Sequence, residues 1–268
     1  MMKKRKYLNF KVLTIFIVSI LINQLAMGLV KIDFVPTQTG TYVLVAKEPT
    51  SGQLDLELDT IQNGSFSVVN STTINTGISH YKIVTVPISL KNNQIVDKIL
   101  LIPMSQNGGA NSFTNIYMMD ADLQNVTSII NISASTLVSD PIVIKNDRGL
   151  YLVLGLENSS GNTLSIYKID TTNNSASLFN TFNFNKIINI LPFDTNSLVV
   201  VTRDASNNVF AKIFSISKNE VVHQYQLTSS QNVRIEYDPD TFKTSIVSDL
   251  DNIDITKAPS LYGVVKIL

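Results

Sequence analysis

The chain has 268 residues, of which 44% are hydrophobic, with 21 basic side chains, 21 acidic side chains and no cysteine. The lack of cysteine excludes disulfides, thiolate metal sites and cysteine nucleophiles. All the acidic residues but only 16 of the basic residues lie in 29–268, so this part has a net charge of −5. That charge argues against nucleic acid or anionic lipid as a partner, because both require a basic surface.

Residues 1–28 have the three-part pattern of a secretory signal peptide. A basic head precedes the uncharged, mostly apolar run from Val12 to Ile22, and Ala26-Met27-Gly28 provides small residues for a signal peptidase. We expect cleavage after Gly28 and export of the rest as a secreted, periplasmic or cell-surface protein. The alternative is an uncleaved N-terminal membrane anchor, because Val12 to Val30 is just long enough to span a bilayer of about 30 Å.

Residues 29–268 read as short β-branched and aromatic segments separated by clusters of Asn, Ser, Gly and Asp. Thr163–Asp170 and Val221–Leu227 alternate with period two, which is typical of half-buried strands. Helical periodicity is almost absent. The sequence therefore predicts a single all-β domain after the signal peptide.

The predicted strands recur with a period of about 48 residues. The repeat is marked by aromatic residues in a second strand, at Tyr117, Tyr167, Phe214 and Tyr262. Each aromatic follows a hydrophobic first strand, at Ile99–Ile102, Tyr151–Leu154, Leu198–Val201 and Ser245–Val247. A weaker copy comes earlier, at Tyr42–Val45 and Leu54–Leu58. Four good copies and one weak copy indicate a repeat architecture.

Each repeat has room for four short antiparallel strands, which in the best copy are predicted at 150–157, 163–170, 177–184 and 186–193. Four-stranded sheets repeated at this period are typical of a β-propeller, since each sheet needs neighbours to cover its two apolar faces. We predict a β-propeller-like ring of about five four-stranded blades, in which Val30–Val35 completes the last copy, ending in Leu261–Val265. The alternatives are a β-sandwich and an open, irregular β repeat. No Trp-Asp, kelch Gly-Gly or Asp-box signature is present.

The loops after the first strand of each blade would converge on one face of such a ring. We predict a binding site from the charged residues there: Lys47, Glu48, Glu157, Arg203, Asp204, Asp249 and Asp251. Arg203 is the favoured member, as one of three arginines beyond the signal peptide. The alternative is that these loops are polar only because loops are exposed.

No catalytic residue, metal ligand or cofactor is predicted. His80 and His223 are far apart, and each is expected to be a packed or rim histidine. Asp55, Glu57 and Asp59 alternate with leucines and are expected on the water-facing side of a strand. The segment Asp249–Asp254 partly resembles a calcium loop but lacks the glycine and the final glutamate of an EF-hand.

These features favour an exported, non-enzymatic binding or scaffolding protein that uses its loop face for a partner protein or a small molecule. The alternative is an exported carboxylate-dependent hydrolase with Asp204 and Asp249 as its candidate carboxylates, although the absence of tryptophan disfavours a sugar substrate. A third reading is a surface-displayed structural protein. The sequence does not identify the ligand.

Overall fold

A computed structural model describes residues 29–37, 41–50, 52–62, 65–75, 81–90, 93–103, 115–132, 135–241 and 243–256. The predicted signal peptide, His80 and the predicted strand Leu261–Val265 lie outside these ranges. Every regular element within them is a β-strand, which confirms the all-β class. Among these residues no helix has the length and apolar character needed to cross a membrane.

The described residues divide into two compact units, one formed by those up to Pro103 and by Tyr117–Val126, the other by the remainder. Sheet A of the first unit runs in chain order through β1 (Leu29–Pro36), β2 (Thr41–Thr50), β3 (Gln53–Gln62) and β4 (Ser65–Asn75). Sheet B continues with β5 (Tyr81–Leu90), β6 (Asn93–Pro103) and β7 (Asn115–Asp120), paired in that order. All of these pairings are antiparallel.

The second unit contains the remaining strands, which are β8 (Thr127–Asn131), β9 (Thr136–Leu137), β10 (Ile142–Asn146), β11 (Gly149–Asn158), β12 (Gly161–Asp170), β13 (Ser175–Phe184), β14 (Lys186–Pro192), β15 (Ser197–Arg203), β16 (Val209–Ser215), β17 (Glu220–Leu227), β18 (Arg234–Asp238), β19 (Lys243–Val247) and β20 (Asn252–Asp254). Sheet C has the order β10-β11-β12-β13, with β9 also paired to β11. Sheet D has the order β14-β15-β16-β17, and sheet E has the order β18-β19-β20. The described residues thus form five antiparallel up-and-down sheets, as a propeller-like or open β repeat requires. Closure into a ring stays a prediction.

The predicted grouping of strands into sheets is wrong by one strand. The four strands predicted for the best copy exist as β11, β12, β13 and β14, but β14 pairs with β15 in the next sheet. Only one residue separates β13 from β14, and this is shorter than the two-residue loop of a tight hairpin. The chain therefore steps to a new sheet at this point, and β10 supplies the first strand of sheet C.

The same correction applies at both ends of the repeat. Val30–Val35 lies in β1 and pairs with β2, so among the described residues it is the first strand of sheet A, whereas the end of the last copy that it was predicted to complete lies outside them. Ser245–Val247 lies in β19, between β18 and β20. The partner that was predicted at Leu261–Val265 is therefore replaced by Asn252–Asp254.

The second strand of sheet D is buried on both faces. Leu198 and Val200 pack with sheet C, whereas Val199 and Val201 pack with sheet E. Alternate side chains of a strand point to opposite faces, so a continuous apolar run places half of its members in each core. This explains why the predicted first strands, which are such runs, became inner strands of their sheets. In the first unit, the leucines of β3 pack into one core with Leu44 and Leu101.

A β-bulge recurs in the last strand of sheets A, C and D. It falls beside Asp59 in sheet A, Tyr167 in sheet C and Phe214 in sheet D. These three residues are therefore equivalent in the repeat. Sheet A carries a carboxylate at the position where the other two sheets carry an aromatic ring.

Asparagine forms several of the turns. Asn174, Asn207, Asn219 and Asn232 all have φ between 47° and 65°. This left-handed region is unfavourable for most side chains but is tolerated by asparagine. The Asn-rich clusters that mark the strand boundaries in the sequence thus have a conformational reason.

We expect Leu198→Ala to destabilise the protein by about 2–5 kcal/mol, because it removes buried methyl groups and leaves a cavity between sheets C and D. Leu198 is fully buried, whereas Leu250 is 70% exposed. The matched control Leu250→Ala should change the free energy of unfolding by less than about 0.5 kcal/mol. Urea denaturation followed by circular dichroism measures both values, and equal effects would contradict the two-faced core.

Candidate functional site

The predicted site residues of the second unit lie at one end of sheets D and E. Consecutive strands run in opposite directions, so β15, β17 and β19 all end there. The three loops that follow these strands are 204–208, 228–233 and 248–251. Hydrogen bonds join the second loop to Arg203 and to the third loop, and we call this group of residues the loop network.

Asp251 is the anchor of the loop network. Its carboxylate accepts hydrogen bonds from the N–H groups of Thr228 and Ser229 at 2.9–3.0 Å and from Ser248 Oγ at 2.6 Å. Desolvation acts to raise the pKa of Asp251, but these donors outweigh it and lower the pKa to about 2. The group is therefore a fixed anion that ties the β19–β20 loop to the β17–β18 loop.

Arg203 is the last residue of β15 and reaches the same loop. Its Nη2 donates to Ser230 Oγ at 3.2 Å. Its Nε is out of contact with solvent and has no hydrogen-bond partner. Within the described part of the chain, no ion pair involves Arg203. The guanidinium is therefore a partly desolvated cation with hydrogen-bond donors that are not paired within the protein.

The carboxylates of Asp204 and Asp249 accept hydrogen bonds from residues of the loop network. Asp204 accepts hydrogen bonds from the backbone N–H groups of Ser206 and Asn208 and from the Asn208 side-chain amide. That amide chiefly holds the pKa of Asp204 below its usual value. Asp249 Oδ1 accepts a hydrogen bond from Asn232 Nδ2 at 2.7 Å. Both carboxylates shape turns, in accordance with the alternative reading of polar loops.

The other predicted site residues lie elsewhere. Lys47 and Glu48 were expected to begin a loop, but β2 continues to Thr50 and includes both. Lys47 Nζ forms an ion pair with Glu57 Oε2 at 2.5 Å, and this pair links β2 to the neighbouring strand β3. Glu157 is an exposed residue near the end of β11, and no hydrogen bond links it to the loop network.

Sequence reasoning missed the loop that holds the network together. Thr228, Ser229 and Ser230 belong to the β17–β18 connection between two sheets, whereas only the loops after first strands were considered. The polar run from Thr228 to Asn232 was the available signal. Its role depends on partners about 20–30 residues away, which no local pattern identifies.

The acidic segment Asp249–Asp254 does not form a calcium loop. Asp249 binds Asn232, Asp251 binds the β17–β18 loop, and Asp254 accepts a hydrogen bond from the Thr256 N–H. The three carboxylates thus have different partners. The described residues contain no group of three or more acidic, histidine or cysteine side chains placed to hold a metal ion. His223 is half-buried and stacks on Tyr225 with ring centroids 6.3 Å apart, as a packed histidine does.

The acidic face of β3 differs from its prediction at one residue. Asp55 and Glu57 are partly exposed, and they bind Thr73 and Lys47 respectively. Asp59 is only 8% exposed, and its Oδ1 has no hydrogen-bond partner. Burial and the nearby Glu57 raise the pKa of Asp59, while Lys47 acts to lower it. The expectation of a water-facing side chain is wrong for Asp59, which is buried at the position equivalent to the half-buried Tyr167 and the buried Phe214 of other sheets.

No protein-family model matches the sequence, and no curated protein is significantly similar to it. Solved structures similar to this chain include the Dos1 propeller, with 12% identity, a TM-score of 0.49 and coverage of 85% of this chain and 59% of that one. They also include an oligogalacturonate lyase in complex with manganese, with 11% identity and a TM-score of 0.46. The match covers 82% of this chain and 62% of the lyase chain. TolB from Acinetobacter baumannii has 15% identity and a TM-score of 0.40, and the match covers 83% of this chain and 53% of the TolB chain. The chain thus spans less than two thirds of the length of these structures, and the values assign no activity to it.

We expect Asp251→Asn to destabilise the protein by about 1–3 kcal/mol at pH 7, because the new amide group would face backbone N–H donors. The pKa of Asp251 is lowered on folding, so its stabilisation is present above the unfolded value of 3.8 and is lost as pH falls through about 2. Urea denaturation across this pH range measures the effect. Asp249→Asn is the control and should cost less, because one side-chain amide donates to that carboxylate. Equal losses at pH 7 and pH 2 would contradict a role for the charged form.

We expect Asp59→Asn to stabilise the protein at pH 7. The pKa of Asp59 is raised on folding, so its charged form destabilises the folded state above the folded pKa, and the penalty disappears as pH falls towards 3.8. The gain measured by urea denaturation should therefore shrink in acid. Asp55→Asn on the same face should give no gain, because Asp55 accepts a hydrogen bond from Thr73 at 2.6 Å. A loss of stability in Asp59→Asn at pH 7 would show that the carboxylate has a favourable partner.

Proposed function

We propose that this protein is an exported, non-enzymatic binding module that contacts a partner protein or a small molecule through the loop network of sheets D and E. The N-terminal signal pattern supports export. The repeated sheets supply a rigid scaffold, and binding residues are disproportionately found on loops that such scaffolds position.

The observation that carries this proposal is the way in which Leu250 is presented. This leucine is 70% exposed, although its neighbours Asp249 and Asp251 are both anchored by hydrogen bonds. Its own N–H donates to Ser248 Oγ. Because the backbone around Leu250 is held by these bonds, little backbone entropy is lost when a partner covers the side chain. Arg203, at the end of β15, adds a residue type that is enriched in binding hot spots.

The state of the carboxylates disfavours the hydrolase alternative. A general acid needs a raised pKa near the working pH, whereas the pKa of Asp204 is lowered. The carboxylates of both candidates, Asp204 and Asp249, also accept hydrogen bonds from residues of the loop network. These groups support the fold and leave the binding role to Leu250 and Arg203.

The test is a screen of the full chain against arrays of peptides and glycans, followed by titration of the ligands found. We expect Leu250→Ser to weaken binding of such a ligand about tenfold or more, since it removes the exposed apolar side chain of the loop network. Tyr237→Ser is the matched control, because Tyr237 is 52% exposed and lies near the opposite end of sheet E. Binding should be unchanged in this variant.

Two results would contradict the proposal. In the first, Tyr237→Ser abolishes binding and Leu250→Ser does not. In the second, the wild-type chain cleaves an array ligand and Asp204→Asn or Asp249→Asn does not, which would establish the hydrolase reading.

A further inference from the structure

Two cations lie directly opposite each other at the edge of the loop network. Lys186, the first residue of β14, is the register partner of Arg203 at the end of β15. Residues paired in this way lie on the same face, with Cβ atoms about 4.5–5.5 Å apart. The next pair, Ile187 and Thr202, has its isoleucine in the core with sheet C. Lys186 and Arg203 are therefore on the other face, towards sheet E.

No carboxylate of the described residues neutralises this pair. Neither cation takes part in any of the ion pairs formed there. The nearby Asp204 and Asp251 direct their oxygens to loop donors. Like charges directly opposite each other destabilise a sheet, and the Arg203 Nε is already desolvated without a partner.

We infer that Lys186, Arg203 and Ser230 form a binding site for a carboxylate group of the ligand. A carboxylate that bridges the two cations would offset their repulsion; the Arg203 Nε, which is out of contact with solvent, is not one of its donors. The planar guanidinium matches the two oxygens of a carboxylate. Ser230 Oγ, at 3.2 Å from Nη2, lies beside the same edge of the arginine and holds it in place.

Asp204, Asp249 and Asp251 lie in the same loops, and the pKa values of Asp204 and Asp251 are lowered. Their negative charges weaken the attraction of the two cations for any anion, so recognition depends on how well the anion fits the planar guanidinium. The flat, two-oxygen shape of a carboxylate gives that fit, and the group is supplied either by a peptide C-terminus or acidic side chain, or by a sugar acid.

This inference rests on the proposed function and names the chemistry of its ligand. The test uses the full chain labelled with nitrogen-15 and follows the Nε–Hε resonance of Arg203, assigned by its absence in Arg203→Gln. Acetate, N-acetylglycine, glucuronate, phosphate and chloride are titrated at constant ionic strength. We expect saturable shifts with all three carboxylates, and the tighter of N-acetylglycine and glucuronate identifies the source.

Lys186→Met should weaken acetate binding at least threefold, whereas Lys218→Met should not change it, because Lys218 is an exposed lysine at the other end of sheet D. The inference is overturned if carboxylates shift the resonance no more than chloride does, if Lys186→Met leaves the affinity for acetate unchanged, or if phosphate binds more tightly than acetate. Loss of ligand binding in Leu250→Ser together with any of these results would overturn the carboxylate site and leave the proposed function standing.

Discussion

The inner strands of this protein are apolar on both faces, and the rest of the structure depends on covering those faces. In sheet D, Leu198 and Val200 need sheet C, and Val199 and Val201 need sheet E. A single four-stranded sheet of this kind would expose one of its two apolar faces to water. Repetition of the sheet is the solution, since each copy covers its neighbour. A chain without cysteine has no disulfide to replace this burial, so its stability rests on these cores.

The same packing determines where chemistry is possible. Up-and-down sheets bring the loops of successive repeats to the same end, and here Asp251 and Asp204 hold those loops in shape. Most of the charged loop residues are thereby occupied in structural hydrogen bonds. The groups that remain are an exposed leucine and two opposed cations, Lys186 and Arg203. These groups offer apolar contact and positive charge, the two features on which the proposed binding role depends.

Asp59 shows how one repeat can depart from the others. The bulge register makes it equivalent to Tyr167 and Phe214, yet its carboxylate is nearly buried. Burying a carboxylate with an unpaired oxygen costs free energy. Lys47, on the same face, partly offsets the charge of Asp59, whereas Glu57, with which Lys47 forms an ion pair, opposes it. Sheet A is thus the copy whose repeat pattern was weakest in the sequence and whose interior is the most polar at this position.

The sequence by itself determined the strands, their period and the turns, because these depend on neighbouring residues. Apolar runs such as Leu198–Val201 predicted the inner strands, and asparagine clusters predicted the turns that need a left-handed residue. Tertiary structure alone decided which strands share a sheet and what each charged residue does. The assignment of β14 to sheet D, the burial of Asp59 and the anchoring of Asp251 by Thr228 all depend on partners distant in the chain. Hydrogen bonds form between residues that folding brings together, and burial by distant residues removes water from a group. Local sequence patterns do not identify those distant residues.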